Sequence, residues 1–222
     1  MAERTEDDIL FEEIDDELRQ DRAHQLWQAY GRYLISVVLA IVLGVGGYQG
    51  WRHYDISSRQ ASGESFQAAM NLASGKKTED AYKAFSDIAT GGTGGYKVLA
   101  RFNQARLLAQ KGDAGGAAQT YRDISGDGGV DSLYRDMAVI LGALVEINIA
   151  DADLAAMQKR LAPLDADASP WRFSAREISA MIAHKNGDKA KAKTLFKALS
   201  DDAKTPQGIR ARAQEMLSIL GQ

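Results

Sequence analysis

The chain has 222 residues, 26% of them charged, a formal net charge of −3 and no cysteine. That charge balance, with basic residues scattered along the chain, gives no electrostatic footprint for nucleic acid. The absence of thiols excludes disulfides, thiol catalysis and thiolate metal sites. Three prolines against many Ala, Leu, Lys, Glu and Gln favour helix over strand.

Thirty-two residues precede the only long apolar run, and ten of them are acidic. Within 6–30, Leu10, Phe11, Ile14 and Leu18 share one helical stripe, with Glu12, Glu13, Asp15, Asp16 and Glu17 around it. Acidic charge disfavours an anionic lipid surface. Two readings stay open for this tail: a short amphipathic helix facing a protein partner, or a solvated segment.

Residues 33–51 carry no charge, and Arg32 and Arg52 bracket them. At ~1.5 Å per residue the run spans roughly 28 Å, close to a hydrocarbon core. Tyr30, Tyr33, Tyr48, Trp51 and Tyr54 stand at its ends, as an aromatic belt requires. The long acidic lead and the absence of a clear small-x-small cleavage site predict an anchor that is retained. The expected division is an acidic tail over 1–32, a transmembrane helix over 33–54 and a repeat domain over 55–222. Arg19, Arg22 and Arg32 before the span, against Arg52 and Arg59 after it, orient the tail to the cytoplasm and the domain outside it. Ser36, Ala40, Gly44 and Gly47 line one face of the span, and Gly46 and Gly50 form a second small pair. Such faces let helix backbones approach closely in lipid. The glycines from Gly44 to Gly50 follow no strand and lack the dinucleotide-loop spacing.

Beyond the span, apolar periodicity and Gly, Asp or Pro breaks predict helices over 57–74, 78–89, 95–111, 113–125, 131–149, 151–162, 169–186, 188–200 and 206–220. Pro170 is expected at the first position of its helix. No alternating strand pattern appears, so the fold class is all-α. Residues 100–125 and 175–200 align at an offset of 75. Ala105, Gly112, Asp113, Ala117 and Tyr121 face Ala180, Gly187, Asp188, Ala192 and Phe196. Ala81, Phe85 and Ile88 align with Ala117, Tyr121 and Ile124 at an offset of 36, and the unit near 134–161 is degenerate. A period near 37 marks stacked helical hairpins. The small alanines suit close helix crossings, the large residue four positions later fills the groove between hairpins, and Gly-Asp ends one helix and caps the next. The expected core comprises Ala105, Gly112, Ala117, Tyr121, Ala180, Gly187, Ala192 and Phe196.

These positions resemble the tetratricopeptide repeat in a divergent form, without the early Trp, the Leu-Gly pair or a closing Pro. The resemblance implies an α-solenoid of antiparallel helical hairpins. Over nearly the full length the chain also resembles the YfgM-like family in its alphaproteobacterial branch. The shared features are Gly50-Trp51-Arg52-His53-Tyr54 at the end of the anchor, the helix around Ser62–Met70, Gly95-Tyr96 through Leu107, and the tail pattern Ile9–Ile14 with Leu26–Gly31. That resemblance implies a single-pass bacterial inner-membrane protein with a periplasmic domain. Its implied role is an ancillary subunit of the Sec translocon that links it to periplasmic chaperones.

No residue cluster points to chemistry. His24, His53 and His184 lack partners at ligand spacing, so no metal is expected. Phosphate loops and nucleophile elbows are absent, and no cofactor is expected. The Asp151/Asp153 and Asp165/Asp167 pairs read as helix caps and loop solubility. Trp171 and Phe173 read as core or groove-wall residues. A membrane-anchored adaptor leads over a structural or assembly factor of the envelope, and both lead over an anchored enzyme or regulator.

Overall fold

The computed structural model describes residues 6–221, with side chains from Trp27 onward. The tail stripe of Leu10, Phe11, Ile14 and Leu18 therefore lies outside the described side chains. All regular structure among the described residues is helical: α1 (Glu6–Ser74), α2 (Thr78–Gly91), α3 (Tyr96–Gln110), α4 (Ala114–Ser125), α5 (Ser132–Glu146), α6 (Leu154–Leu161), a 3-10 turn (Ala162–Asp165), α7 (Arg172–Lys185), α8 (Lys189–Asp201) and α9 (Gln207–Gly221). The chain divides into two units, Met1–Ser58 and Arg59–Gln222.

In the first unit the apolar run is helical and bare. Leu34, Ile35, Val38, Leu39, Ile41, Val42 and Leu43 are each more than half exposed. Fully burying such a side chain is worth about 1.5–3 kcal/mol, so this much apolar surface is costly in water and is stable in lipid. The helix is long and apolar enough to be a candidate membrane span. The Ser36 hydroxyl is satisfied within the helix, its Oγ donating to the Arg32 carbonyl at 2.8 Å. At the start of the span the Arg32 guanidinium donates to the Tyr33 hydroxyl at 3.0 Å and lies 4.8 Å from the centre of its ring.

In the second unit each helix from α2 packs on the next, and α3 packs on α5, α5 on α7, and α7 on α9. Four apolar clusters follow one another along the chain. The first joins Phe66 and Ala69 of α1 to Phe85 of α2 and Leu107 of α3. The second joins Phe102, Ala105, Tyr121, Ile124 and Ala138 across α3, α4 and α5. The third gathers Ile140, Ile147, Met157, Leu161 and Ile178. The fourth gathers Ala180, Ala192, Phe196, Leu199 and Ala213. Consecutive clusters share a helix: α3 contributes to the first two, α5 to the middle two and α7 to the last two.

One turn recurs between helices. Asp113 N–H donates to the Leu108 carbonyl, Asp188 N–H to Ala183 and Lys77 N–H to Leu72, at 2.9, 2.9 and 3.0 Å. In each case the preceding residue has positive φ: Gly112 at +87°, Gly187 at +80° and Lys76 at +59°. This is the Schellman closure, in which a left-handed residue lets a later N–H reach the last helical carbonyls. Asp113 and Asp188 then cap the following helix, accepting from Gly116 N–H at 2.8 Å and Lys191 N–H at 3.0 Å.

The unit near 134–161 is the least regular. α5 stops at Glu146 rather than at 149, and α6 begins only at Leu154, after Asp153 accepts from Ala156 N–H at 2.9 Å. Lys185 Nζ donates to the Ile147 carbonyl and, at 3.1 Å, to that of Ile149, so a side chain from α7 satisfies carbonyls just beyond the end of α5. Pro170 is not the first helical residue. Ser169 Oγ accepts from Trp171 N–H at 3.1 Å and the Ser169 carbonyl accepts from Arg172 N–H at 3.3 Å, which closes a turn before α7 starts.

Candidate partner-binding groove

The residues singled out by sequence fall in three kinds of place. Ser36, Ala40, Gly44 and Gly47 are exposed on the candidate span. A Cβ built on Gly44 or Gly47 meets no atom within 4 Å. Ala105, Ala117, Ala180 and Ala192 are fully buried, with Tyr121 and Phe196 nearly so. Burial pushes the Tyr121 hydroxyl pKa up, against a smaller opposing pull from Arg106. Gly112 and Gly187, expected in the core, are instead exposed, because they occupy the left-handed turns already described. Of these, Phe196 lines a cleft, described below.

A residue outside that set marks a close crossing: a Cβ on Gly142 would stand 3.0 Å from Tyr121 Cβ, so α5 and α4 meet with little room for more than hydrogen. Close helices here also carry charge. Glu146, nearly buried on α5, accepts from Arg122 of α4 at 3.2 Å and Arg160 of α6 at 2.5 Å. Asp165 is not simply a solvated loop carboxylate, because it pairs with Arg176 at 2.8 Å. Phe173 is core, covered by the Arg172 guanidinium 4.1 Å above its ring, and Trp171 is half-buried beside the α5–α7 cluster.

One concavity, of about 500 Å³, lies between α7, α8, α9 and the residues that follow α5. Ile147, Met181, Phe196 and Met216 supply its apolar lining, and Asn148, His184 and Glu215 stand exposed at its edge. Glu177, also nearly buried, accepts from Arg212 Nε at 2.6 Å and Nη2 at 2.9 Å. This two-pronged pairing raises the pKa of the Arg212 guanidinium further and ties α7 to α9 through a planar fork. A mostly apolar cleft with a few fixed polar groups is the usual form of a binding site.

Sequence reasoning did not find this groove. Met181 and Met216 read as ordinary core, and Glu177 and Arg212 carry no local motif. One signal was present. Residues 177 and 212 are 35 apart, about one repeat, which places them at matching heights on successive first helices of the hairpins. Among the described residues no group of three or more His, Asp or Glu side chains converges on one point.

No curated protein matches the chain. A family model described as a tetratricopeptide repeat-like domain matches residues 24–219, taking in both the candidate span and the helical unit. With the match covering most of its length, the chain belongs to the tetratricopeptide repeat-like domain family.

Proposed function

We propose that this protein is a membrane-anchored adaptor that works by holding other proteins, as an ancillary subunit of the Sec translocon linked to periplasmic chaperones. The observation that carries the adaptor reading is the apolar groove between α7, α8, α9 and the residues after α5 in a member of a repeat-like family. In this reading α3, α5, α7 and α9, which pack in sequence, form the inner row of a solenoid. A solenoid's inner row makes a concave surface suited to a peptide or a partner helix. The protein crosses the bacterial inner membrane once, with residues 1–32 cytoplasmic and 55–222 periplasmic. Its membrane helix contributes a second contact through Ser36, Ala40, Gly44 and Gly47. The open space above both glycines supports this, since small residues let a neighbouring helix approach.

The test is photo-crosslinking in native membranes, with a reactive residue at Met216 and, separately, at Val45, followed by mass spectrometry. Recovery of translocon subunits from the helix and of soluble envelope proteins from the groove is the expected result. If the groove position captures no protein and the helix position captures only lipid, the adaptor reading fails.

A further inference from the structure

The outer face of α8 carries charge that the fold does not use. α8 packs on α7 and α9 and buries Ala192, Phe196 and Leu199. On its solvent side Lys189, Lys193 and Lys197 recur every four residues, and Lys191 stands across the face from them. The small Ala190, Thr194 and Ala198 lie between, and all seven residues are exposed. Lys197 pairs with Asp201 at 2.9 Å, whereas Lys189, Lys191 and Lys193 have no ion pair among the described residues. Like charges four apart weaken a helix, and cations in the first turn oppose its dipole. Asp188 offsets part of this as the N-cap, its carboxylate accepting from Lys191 N–H at 3.0 Å.

Such a face calls for negative charge from outside the chain. A folded protein partner is held through aromatic or arginine anchors in shaped pockets, and the exposed residues of this face include neither. Forked recognition of a single carboxylate or phosphate needs arginine, whereas lysine is a mobile point charge that suits diffuse negative charge. A second copy of this chain is a poor match, since its acids are largely engaged. Asp113, Asp131 and Asp153 cap helices, and Asp127, Glu146 and Asp165 pair with arginines. The low profile of Ala190, Thr194 and Ala198 lets the long lysine side chains meet a plane together, and no large apolar residue stands on the face to insert below it. The candidate span holds the chain at such a plane, and tethering raises the local concentration of its lipid.

We infer that the lysine-edged face of α8 docks electrostatically on the anionic lipid headgroups of the membrane in which the protein is anchored. The inference rests on the membrane-anchor reading and is independent of the groove.

The experiment uses the full-length protein in nanodiscs of phosphatidylcholine, alone or mixed equally with phosphatidylglycerol. The chain has no cysteine, so Thr194→Cys on α8 and, separately, Ala155→Cys on α6 each accept a single fluorophore at an exposed position. Headgroup-spin-labelled lipid quenches a fluorophore that meets the surface. With phosphatidylglycerol, quenching at position 194 should exceed that at position 155; it should fall to background in phosphatidylcholine alone and at high salt. Lys189→Gln, Lys191→Gln and Lys193→Gln together should lower the ratio of docked to undocked protein ~100-fold, at about fivefold per lysine. That variant removes like-charge repulsion, so its helicity by circular dichroism should hold. Lys189→Arg, Lys191→Arg and Lys193→Arg together should keep the quenching. Quenching that ignores lipid charge, salt or the lysines overturns the inference, as does its loss in the arginine-substituted protein. Lysine-dependent crosslinking of an acidic protein at position 194, without quenching by anionic lipid, also overturns it. If the chain stays in the nanodisc and position 194 is not quenched, only this inference fails; if the chain does not stay there, the anchor reading fails with it.

Discussion

The three left-handed turns allow a test in which one substitution type changes sign with backbone angle. Gly112 and Gly187 sit at φ +87° and +80°, and Lys76 holds the equivalent place at +59°. A Cβ on Gly112 meets nothing within 4 Å, so Gly112→Ala adds no clash and its cost is conformational alone. A non-glycine residue in the left-handed region costs roughly 1–2 kcal/mol. Restricting the unfolded chain by Gly→Ala returns about 0.4–1 kcal/mol. The net expectation for Gly112→Ala is a loss of about 0.5–1 kcal/mol. Lys76→Gly reverses both contributions and should stabilise by about the same amount. Gly91→Ala is the control: it is helical, its Cβ also meets nothing, and it should stabilise by roughly 0.5–1 kcal/mol. The assay is urea unfolding of residues 56–222 followed by far-ultraviolet circular dichroism. With m in urea of about 1–3 kcal/mol/M, each kcal/mol moves the midpoint by roughly 0.3–1 M. If Gly112→Ala is neutral or stabilising, or Lys76→Gly destabilises, the turn argument is wrong.

Other expectations follow from packing, charge and topology. Ala117→Leu or Ala192→Leu inserts volume where the residue is fully buried and should cost about 1–3 kcal/mol in the same unfolding assay. Asp127 has its carboxyl pKa lowered, first by the Arg101 hydrogen bond and then by Gly129 N–H. With a folded pKa below the unfolded one, its contribution is present above the ordinary carboxylate range and disappears as pH falls through the folded value. Arg101→Gln should raise the Asp127 pKa toward the ordinary value in an NMR titration, and an unchanged curve would remove Arg101 as the cause. Gly44→Leu with Gly47→Leu should leave membrane insertion intact, because the span stays apolar, yet weaken co-purification of the membrane partners. Unchanged co-purification would reduce the helix to an anchor. Protease added to spheroplasts should digest the repeat domain, and protection of that domain until lysis would reverse the orientation.

Helix positions were legible because they depend on nearest neighbours along the chain. Apolar residues recurring at helical spacing, broken by Gly and Asp, delimit α2 to α4 and α7 to α9 to within a few residues. The bare apolar stretch before Arg52 is equally local, since its length and lack of charge can be counted. Local signals fail where another part of the chain supplies the constraint. The carbonyls beyond the end of α5 are satisfied by Lys185, nearly forty residues later, and no residue near 147 announces this. The turn at Lys76 carries no glycine, so only its hydrogen bonds reveal it as the same closure as at Gly112 and Gly187. The groove is the clearest case. Met181, Met216, Ile147 and Phe196 have the composition of a core, and along the chain nothing distinguishes them from one. Periodicity fixes which way a side chain faces on its own helix, whereas the width of the gap it faces is set by how α5, α7 and α9 pack. Tertiary packing alone left Met181 and Met216 half-exposed over buried Ile147 and Phe196, and it brought Glu177 and Arg212 together beside them.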